Sequence, residues 1–156
     1  EADHEIFHEI RQTGPFCAHH ASVEDGLIRG VWAYPGKCPD FSNPGRAVAE
    51  WGPWLDTRRL YEYWYPRLPS YKLGELVETF DLREAVAQSV DAWCPPKRKK
   101  PHCALYDAIA SAHLLQHLNT HENCIDLRLE AMLRLSAGSA GQQQAMSQMN
   151  LFDSNR

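Results

Sequence analysis

A histidine and an aspartate stand five places apart where a helical pattern begins, in the segment PHCALYDAIASAHLL at residues 101–115. A proline just before the pattern and small apolar residues after it are typical of a helix start. If His102 were helical, it and Asp107 would point about 140° apart, because each helical residue turns by about 100°. If His102 lies in the preceding loop and Asp107 in the first or second turn, both side chains can reach one cleft. The spacing therefore suits a loop-borne base beside a helix-borne carboxylate.

Proton transfer and cation binding are the chemistry open to such a pair. A neutral histidine, with an ordinary pKa of about 6.5, accepts a proton from water at pH 7. Hard cations such as Mg²⁺ prefer carboxylate oxygens as ligands. Taken alone, the pair is also typical of a capped helix with a surface histidine, so its meaning depends on the elements that position it.

The composition is that of one domain without a membrane segment. The chain has 156 residues, a length that buries roughly 70% of the unfolded surface. No apolar run approaches the roughly 20 residues that span a bilayer, and no signal peptide opens the chain. Its five cysteines include no CxxC pair, which favours a reducing, cytoplasmic compartment over a disulfide scaffold or a zinc site. Because the net charge is −4, any basic binding site has to be local.

Helical periodicity dominates the chain, with only two short strand candidates, PFCAH and WLDT. Residues 35–53 and 91–101 are predicted as proline-rich connections. From Ser136 the composition becomes small and polar, which predicts a flexible tail. The predicted helices are ADHEIFHEIRQ, VEDGLIRGVWAY, RRLYEYWY, YKLGELVETF, 103–119 and 121–135, the last with a buried stripe of Ile125, Leu129, Met132 and Leu133.

Three segments, in chain order, carry a more specific pattern. CAHHASVEDGLI is similar to a motif of the form His-Asn-Ala-x-Phe-Asp, and HCALYDA is similar to His-x-Ala-x-x-Asp-Ala. Between them, WLDTRRLYEYWYPRLPSYKLGELVETF has the Asp-Thr and Leu-x-x-Leu pattern of a strand followed by two helices. Together they span about residues 3–119 and resemble the DEDDh 3′–5′ exonuclease family, which includes the proofreading epsilon subunit of bacterial DNA polymerase III and exodeoxyribonuclease X.

The resemblance implies roles for individual residues. His102 corresponds to the general base and Asp107 to a metal ligand. The carboxylate of the second motif falls on Glu24, where the family usually has aspartate, and Asp25 beside it is the alternative ligand. His20 stands where the family usually has asparagine, and we expect it to contact nucleic acid.

The resemblance also implies an α/β, ribonuclease H-like exonuclease fold, of which residues 1–135 would form the later portion. The family's first motif, Asp-x-Glu on the first strand, supplies two of its four carboxylates and finds no counterpart on a predicted strand here. We expect either that this sequence is the later portion of a longer polypeptide or that the protein has lost the first strands of the sheet. The well-kept remaining motifs favour the former. In both cases this chain alone is expected to be nearly inactive.

The activity implied by the resemblance is metal-dependent removal of nucleotides from single-stranded DNA 3′ ends, in repair or proofreading. Two Mg²⁺ or Mn²⁺ ions about 4 Å apart would clamp the attacking and leaving oxygens of the phosphodiester. One alternative is an RNA-trimming member of the same family, because the same site cleaves both nucleic acids. The other is a non-catalytic adaptor that binds the clamp or nucleic acid and has lost the first motif.

A basic run directly before the base is a candidate for contact with the phosphate backbone. A solvated loop is the alternative interpretation of such a run. Its residues are Lys97, Arg98, Lys99 and Lys100.

Further histidines have a structural interpretation as well as a metal-binding one. His19 is expected to be packed or to support the site from behind. His113, His117 and His121 recur every four residues, which would suit a metal, but without a nearby set of carboxylates they predict a solvated helix face.

The segment QMNLF at residues 148–152 resembles the peptide that binds the bacterial β sliding clamp. Leu151 and Phe152 would fill an apolar pocket while Gln148 forms hydrogen bonds at its rim. With residues 136–147 as a flexible linker, the tail at 148–156 would tether the nuclease to the clamp. The alternative is that the two apolar residues fold back onto the domain as a latch.

Overall fold

The computed structural model describes residues 2–43, 45–121 and 128–137. Within them the architecture is mixed α/β, with seven helices and two pairs of short strands. The helices are α1 (Ala2–Arg11), α2 (Ser22–Val31), α3 (Thr57–Trp64), α4 (Leu73–Thr79), α5 (Arg83–Trp93), α6 (Ala104–Leu118) and α7 (Leu129–Ser136). The strands are β1 (Phe16–Ala18), β2 (Cys38–Pro39), β3 (Ala47–Val48) and β4 (Trp54–Asp56).

The two strands predicted from the sequence, β1 and β4, pair with each other in parallel. Their register sets Phe16 opposite Trp54 and Ala18 opposite Asp56. Since the carboxyl ends of parallel strands meet at the same edge, the residues that follow the two strands come together there. This pairing positions the candidate site.

The connection between α2 and β4, predicted as irregular, contains the antiparallel pair β2–β3. Arg11, at the end of α1, fixes this segment and is fully buried. Its guanidinium donates hydrogen bonds to the carbonyls of Gly36 and Glu50 and to the Cys38 sulfur, and it lies 5.3 Å from the centre of the Trp51 ring. Neutral acceptors and an aromatic face thus stabilise a buried cation.

The core lies among the helices that follow β4. One cluster joins α3, α4, α6 and α7, and a second joins α4, α5 and α6. Helix α5 was not predicted, although Val86 and Val90 have the i, i+4 spacing of its buried face. The fully buried members of the first cluster are Leu60, Tyr61, Leu76, Leu114, Leu118 and Leu135.

The helix predicted at 121–135 is wrong at its start. It begins at Leu129, because Arg128 has an extended backbone. Leu133 is buried as predicted, but Leu129 is exposed and Leu135 takes a buried place instead. Ile125 lies outside the described residues.

The end of the helix extends into the predicted linker. Ser136, the first residue of that linker, closes α7, and its hydroxyl accepts a hydrogen bond of 3.0 Å from the backbone N–H of Asp56. The remainder of the linker from residue 138, and the predicted clamp-binding residues Gln148, Leu151 and Phe152, lie outside the described residues.

The predicted solvated face of histidines on α6 is also wrong. His113 shares a hydrogen bond of 2.8 Å with the Ser89 hydroxyl, and His117 shares one of 2.8 Å with the Tyr61 hydroxyl. His121 packs against the Trp64 ring at 5.3 Å. Burial lowers the pKa of His117, so this imidazole is a neutral packing group.

The cysteines whose state the structure describes are free thiols: Cys17, Cys38, Cys94 and Cys103. Burial, with a smaller effect of Asp56, raises the pKa of Cys17 to about 12, so its thiol is protonated and unreactive at neutral pH. Among the described helices, none has the length and apolar character needed to cross a membrane.

Candidate functional site

A cleft with a volume of about 990 Å³ lies beside the carboxyl end of β1, between α2, α4 and the beginning of α6. His102, Asp107 and Glu24 all line it, and His20 lies on the same wall. The four residues come from two separate parts of the chain, residues 20–24 and residues 102–107. The convergence expected from the sequence is therefore present in the fold.

Asp56 joins the two loops that border the cleft. Its carboxylate is only 2% exposed. It accepts hydrogen bonds from the backbone N–H groups of His20 (3.0 Å) and Ala21 (3.1 Å) after β1, and from those of Arg58 (3.0 Å) and Arg59 (3.4 Å) after β4. One side chain thus caps α3, fixes the entry to α2 and ties both to the strand pair.

Two histidines at the cleft have left-handed backbone conformations. The φ angles are 66° at His20 and 65° at His102. Each backbone N–H donates to a carboxylate, that of His20 to Asp56 at 3.0 Å and that of His102 to Asp107 at 3.2 Å. Such conformations cost roughly 1–3 kcal/mol and cluster at functional sites. The predicted geometry, with His102 in a loop and Asp107 in the first turn of α6, is confirmed.

Glu24 lies in the first turn of α2, and one of its carboxylate oxygens, Oε2, is buried without a hydrogen-bond partner. Burial raises the pKa of Glu24, and the nearby charges of Asp56 and Asp107 add to that shift. The nearby His20 ring opposes part of this pKa shift, but Oε2 itself has no hydrogen-bond partner, so an ionised Glu24 is costly in this position. A bound cation would offset that cost.

His19 also lines the cleft, and its ring is fixed by hydrogen bonds, as expected for a packed histidine. Its Nδ1 shares a hydrogen bond of 2.9 Å with the Thr57 hydroxyl, and its Nε2 shares one of 2.8 Å with the Tyr71 carbonyl. Because a carbonyl only accepts, Nε2 carries the proton and Nδ1 accepts from Thr57. Burial lowers the pKa of His19, which keeps the ring neutral.

Two cations that the sequence analysis did not single out line the cleft: Arg58 and Lys72. Arg58 directly follows the Asp-Thr pair at the end of β4. Because β4 pairs with β1, a residue at this position lies near the residues that follow β1. Lys72 forms an ion pair of 3.2 Å with Glu75. The Ser70 hydroxyl, followed by Lys72, lowers the pKa of Glu75, so this carboxylate is ionised.

The basic run predicted to contact phosphate does not line the cleft. Lys97 and Arg98 lie in a 3₁₀ turn (Pro96–Arg98), Lys100 follows it, and all are exposed. Lys99 is paired with Asp91 at 2.7 Å. Only the next residues along the chain, Pro101 and His102, reach the cleft wall.

The alternative carboxylates do not join the site either. Asp25 forms an ion pair with Arg29 one turn along α2 and does not line the cleft. The tripeptide Asp3-His4-Glu5 has the form Asp-x-Glu but lies on α1, with both carboxylates exposed. Among residues 2–43, 45–121 and 128–137, no three His, Cys, Asp or Glu side chains are grouped so that they could hold a metal ion.

The chemistry that this arrangement supports is limited and specific. Glu24 and Asp107 carry carboxylates, the ligand type that hard cations prefer, and His102 is an exposed imidazole that lines the same cleft. No family model, curated protein or solved structure matches this chain. The cleft itself therefore carries the functional argument.

Proposed function

We propose that this protein belongs to the metal-dependent 3′–5′ exonucleases that release nucleotides from the 3′ ends of single-stranded DNA. The observation that carries the proposal is the meeting of His102, Asp107 and Glu24 in one cleft, although their motifs lie about 80 residues apart in the chain. A phosphodiester hydrolase needs a cation-binding carboxylate pair and a base for water, and these are the groups that the cleft offers.

Glu24 and Asp107 are the proposed ligands of a divalent cation. The buried, unpartnered Oε2 of Glu24 and the raised pKa of its carboxyl group both support a cation as its missing partner. Mg²⁺ typically binds one or two carboxylates and keeps several waters, so the pair is a sufficient protein contribution for one ion. When bound, such an ion neutralises charge on the phosphate and lowers the pKa of a coordinated water.

His102 is the proposed general base. Its loop position, its exposure, the hydrogen bond from its backbone N–H to Asp107 and its place on the wall of the same cleft support this role. The histidine accepts the proton of the attacking water, and the Asp107 carboxylate keeps the loop in its left-handed conformation. Asp107 would therefore both bind the cation and accept the hydrogen bond from the His102 backbone. A position in the first turn of a helix allows both, because the preceding loop lies within reach of its side chain.

Two features of the fold support the ribonuclease H-like part of the proposal. The parallel pair β1–β4, with α2 between the strands in sequence, is the connectivity of an α/β sheet. His20 stands where the exonuclease motif usually has asparagine, and its φ angle of 66° lies in the region that asparagine and histidine tolerate better than most residues.

Metal binding is tested by thermal unfolding of the chain with Glu24→Gln. Because the pKa of Glu24 is raised in the folded protein, this carboxyl group keeps its proton at pH values where the same group in the unfolded chain has lost it. Its contribution to the free energy of unfolding therefore falls as the pH rises above the ordinary pKa of glutamate. At pH 7.5 without metal, we expect Glu24→Gln to raise the unfolding temperature by a few degrees. Saturating MgCl₂ should raise the unfolding temperature of the wild type and leave that of Glu24→Gln unchanged.

The matched control is Glu9→Gln, which removes the same charge from an exposed position on α1. It should respond to MgCl₂ as the wild type does. An equal response of Glu24→Gln and the wild type to MgCl₂ would refute the assignment of Glu24 as a ligand.

Hydrolysis is assayed on 5′-labelled single-stranded DNA, with the 156-residue chain and with any longer product of its gene. Metal-dependent shortening from the 3′ end supports the proposal. The same assay on RNA of equal sequence decides between DNA and RNA substrates, because only RNA offers the 2′-hydroxyl for recognition. The absence of metal-dependent shortening in every case would overturn it.

A nucleic-acid-binding adaptor is the second candidate. The observation that favours it is the commitment of Asp56, whose charge lies near Glu24, to four backbone hydrogen bonds, so that this carboxylate is not free to bind a cation. Binding of single-stranded DNA that is unaffected by Mg²⁺, without hydrolysis, would support the adaptor over the nuclease.

The proposal includes a tether to a bacterial β sliding clamp through residues 148–152. A peptide of residues 142–156 should bind purified clamp with a micromolar dissociation constant, which corresponds to a binding free energy of about −8 kcal/mol. The affinity stays moderate because ordering the peptide offsets part of the interaction energy. Replacing both Leu151 and Phe152 by alanine should abolish binding. A wild-type peptide that fails to bind at 100 times that concentration would leave only the latch interpretation.

A further inference from the structure

A second, smaller cavity adjoins the cleft and has no role in the chemistry described so far. Its volume is about 400 Å³, and it shares His20 and Arg58 with the cleft. Its other lining residues are Arg59, Asp56 and Glu62. Two guanidinium groups and an imidazole thus line a cavity that adjoins the cleft.

The charges of this cavity leave both arginines available to an anion. Asp56 is turned inward, and its oxygens accept the four backbone N–H groups at the ends of β1 and β4, with the Arg59 Nε farther away at 3.8 Å. Glu62 accepts from the Nε of Arg58 at 2.9 Å, which uses one of the five donors of that guanidinium.

The ion pair between Arg58 and Glu62 is a weak competitor for a phosphate. Its side chains are 43% and 36% exposed, and pairs of this exposure contribute little to stability. A phosphodiester accepts two hydrogen bonds in the planar geometry that the guanidinium presents, so it can displace the carboxylate.

We propose that the second cavity binds the phosphodiester that precedes the terminal one in a single-stranded oligonucleotide, with Arg59 and Arg58 as its donors and His20 at the junction. The inference rests on the proposed function, because it assumes that a 3′-terminal nucleotide occupies the cleft. The strand then leaves the cleft over the first turn of α3, and the basic run at residues 97–100 lies off its path.

Binding calorimetry of the full chain, with Ca²⁺ replacing Mg²⁺ to prevent hydrolysis, tests this path. The probes are thymidine 5′-monophosphate, which fills only the terminal position, and an oligothymidylate of about eight nucleotides, within the length range of single-strand binding sites. Arg59→Gln should weaken oligothymidylate binding at least fivefold and leave monophosphate binding unchanged. The slope of log affinity against log salt should fall by about 0.7, the value for one phosphate contact on a single strand.

The matched control is Arg67→Gln, an exposed arginine that lines neither cavity, and it should bind both probes as the wild type does. Arg59→Lys keeps the charge and should recover part of the oligothymidylate affinity. Glu62→Gln, which removes the competitor, should tighten oligothymidylate binding twofold or more, so the test stands even if Arg59→Gln folds poorly.

The proposed phosphodiester site in the second cavity would be overturned if Arg59→Gln and Arg67→Gln changed the oligothymidylate affinity equally. It would also be overturned if Arg59→Gln weakened the binding of both probes equally. If the wild type also removes 3′ nucleotides, the proposed function survives that result. If the folded wild-type protein bound neither probe, both the proposed function and the proposed site in the second cavity would be overturned.

Discussion

Replacing His102 by alanine is expected to lower kcat for 3′-nucleotide release by about 10²–10⁴, the usual contribution of a general base. The side chain lies in the cleft with Glu24 and Asp107, and its loss removes the proton acceptor while leaving the carboxylate pair in place. The Mg²⁺-induced rise in unfolding temperature should therefore be retained. The measurement is single-turnover hydrolysis of 5′-labelled DNA by the form of the protein that shows activity.

A second variant separates proton transfer from backbone geometry. The φ angle of His102 is 65°, a conformation that asparagine adopts more readily than alanine. His102→Asn should thus keep the loop intact and still lose the rate. Wild-type rates in His102→Asn would contradict the role of general base.

Replacing Asp56 by asparagine should lower the free energy of unfolding by about 1–3 kcal/mol, the cost of leaving a buried donor without its partner. The Asp56 Oδ1 accepts from the backbone N–H groups of His20, Arg58 and Arg59, while Oδ2 accepts from that of Ala21. An amide has only one acceptor oxygen, and its NH₂ group would face a backbone donor. At least one buried N–H group would lose its partner.

Urea denaturation of Asp56→Asn and of a matched control measures the effect. The control is Asp40→Asn, because the Oδ1 of Asp40 also accepts two backbone N–H groups, those of Ser42 (2.9 Å) and Asn43 (3.1 Å), but in an exposed turn where water replaces a lost partner. Its cost should stay below about 1 kcal/mol. Equal destabilisation by the two substitutions would show that Asp56 does not hold the strand ends together.

The local sequence was sufficient to predict most helices and strands. It also predicted the two segments of the site, one around Glu24 and one around His102 and Asp107, each by itself. Pro101 and the small residues after Asp107 predict the start of α6 correctly, because helix starts depend on neighbours within one turn. The strands β1 and β4 were predicted from short apolar runs. The left-handed conformation of His102 was not predicted, since it depends on the hydrogen bond to Asp107.

The limits of helix α7 show where local pattern is insufficient. Residues 121–135 have continuous helical character, yet the helix begins at Leu129 and ends at Ser136. The end is fixed by a contact with a distant strand, the hydrogen bond from the Asp56 N–H to the Ser136 hydroxyl, 80 positions apart. Periodicity over 15 residues carries no information about such a partner.

The sequence by itself determined which residues are chemically able to act: His102 as a base, and Asp107 and Glu24 as carboxylates. The tertiary structure alone decided that they share a cleft, that Arg58 and Lys72 join them and that the run at residues 97–100 does not. The physical reason is that α6 packs against β1, where the Cys17 thiol contacts the Ser111 carbonyl at 3.8 Å, so that His102 and Asp107 lie on the same cleft as Glu24. The parallel pairing of β1 with β4, held by the buried Asp56, adds the residues that follow β4, and no local propensity carries information about either contact.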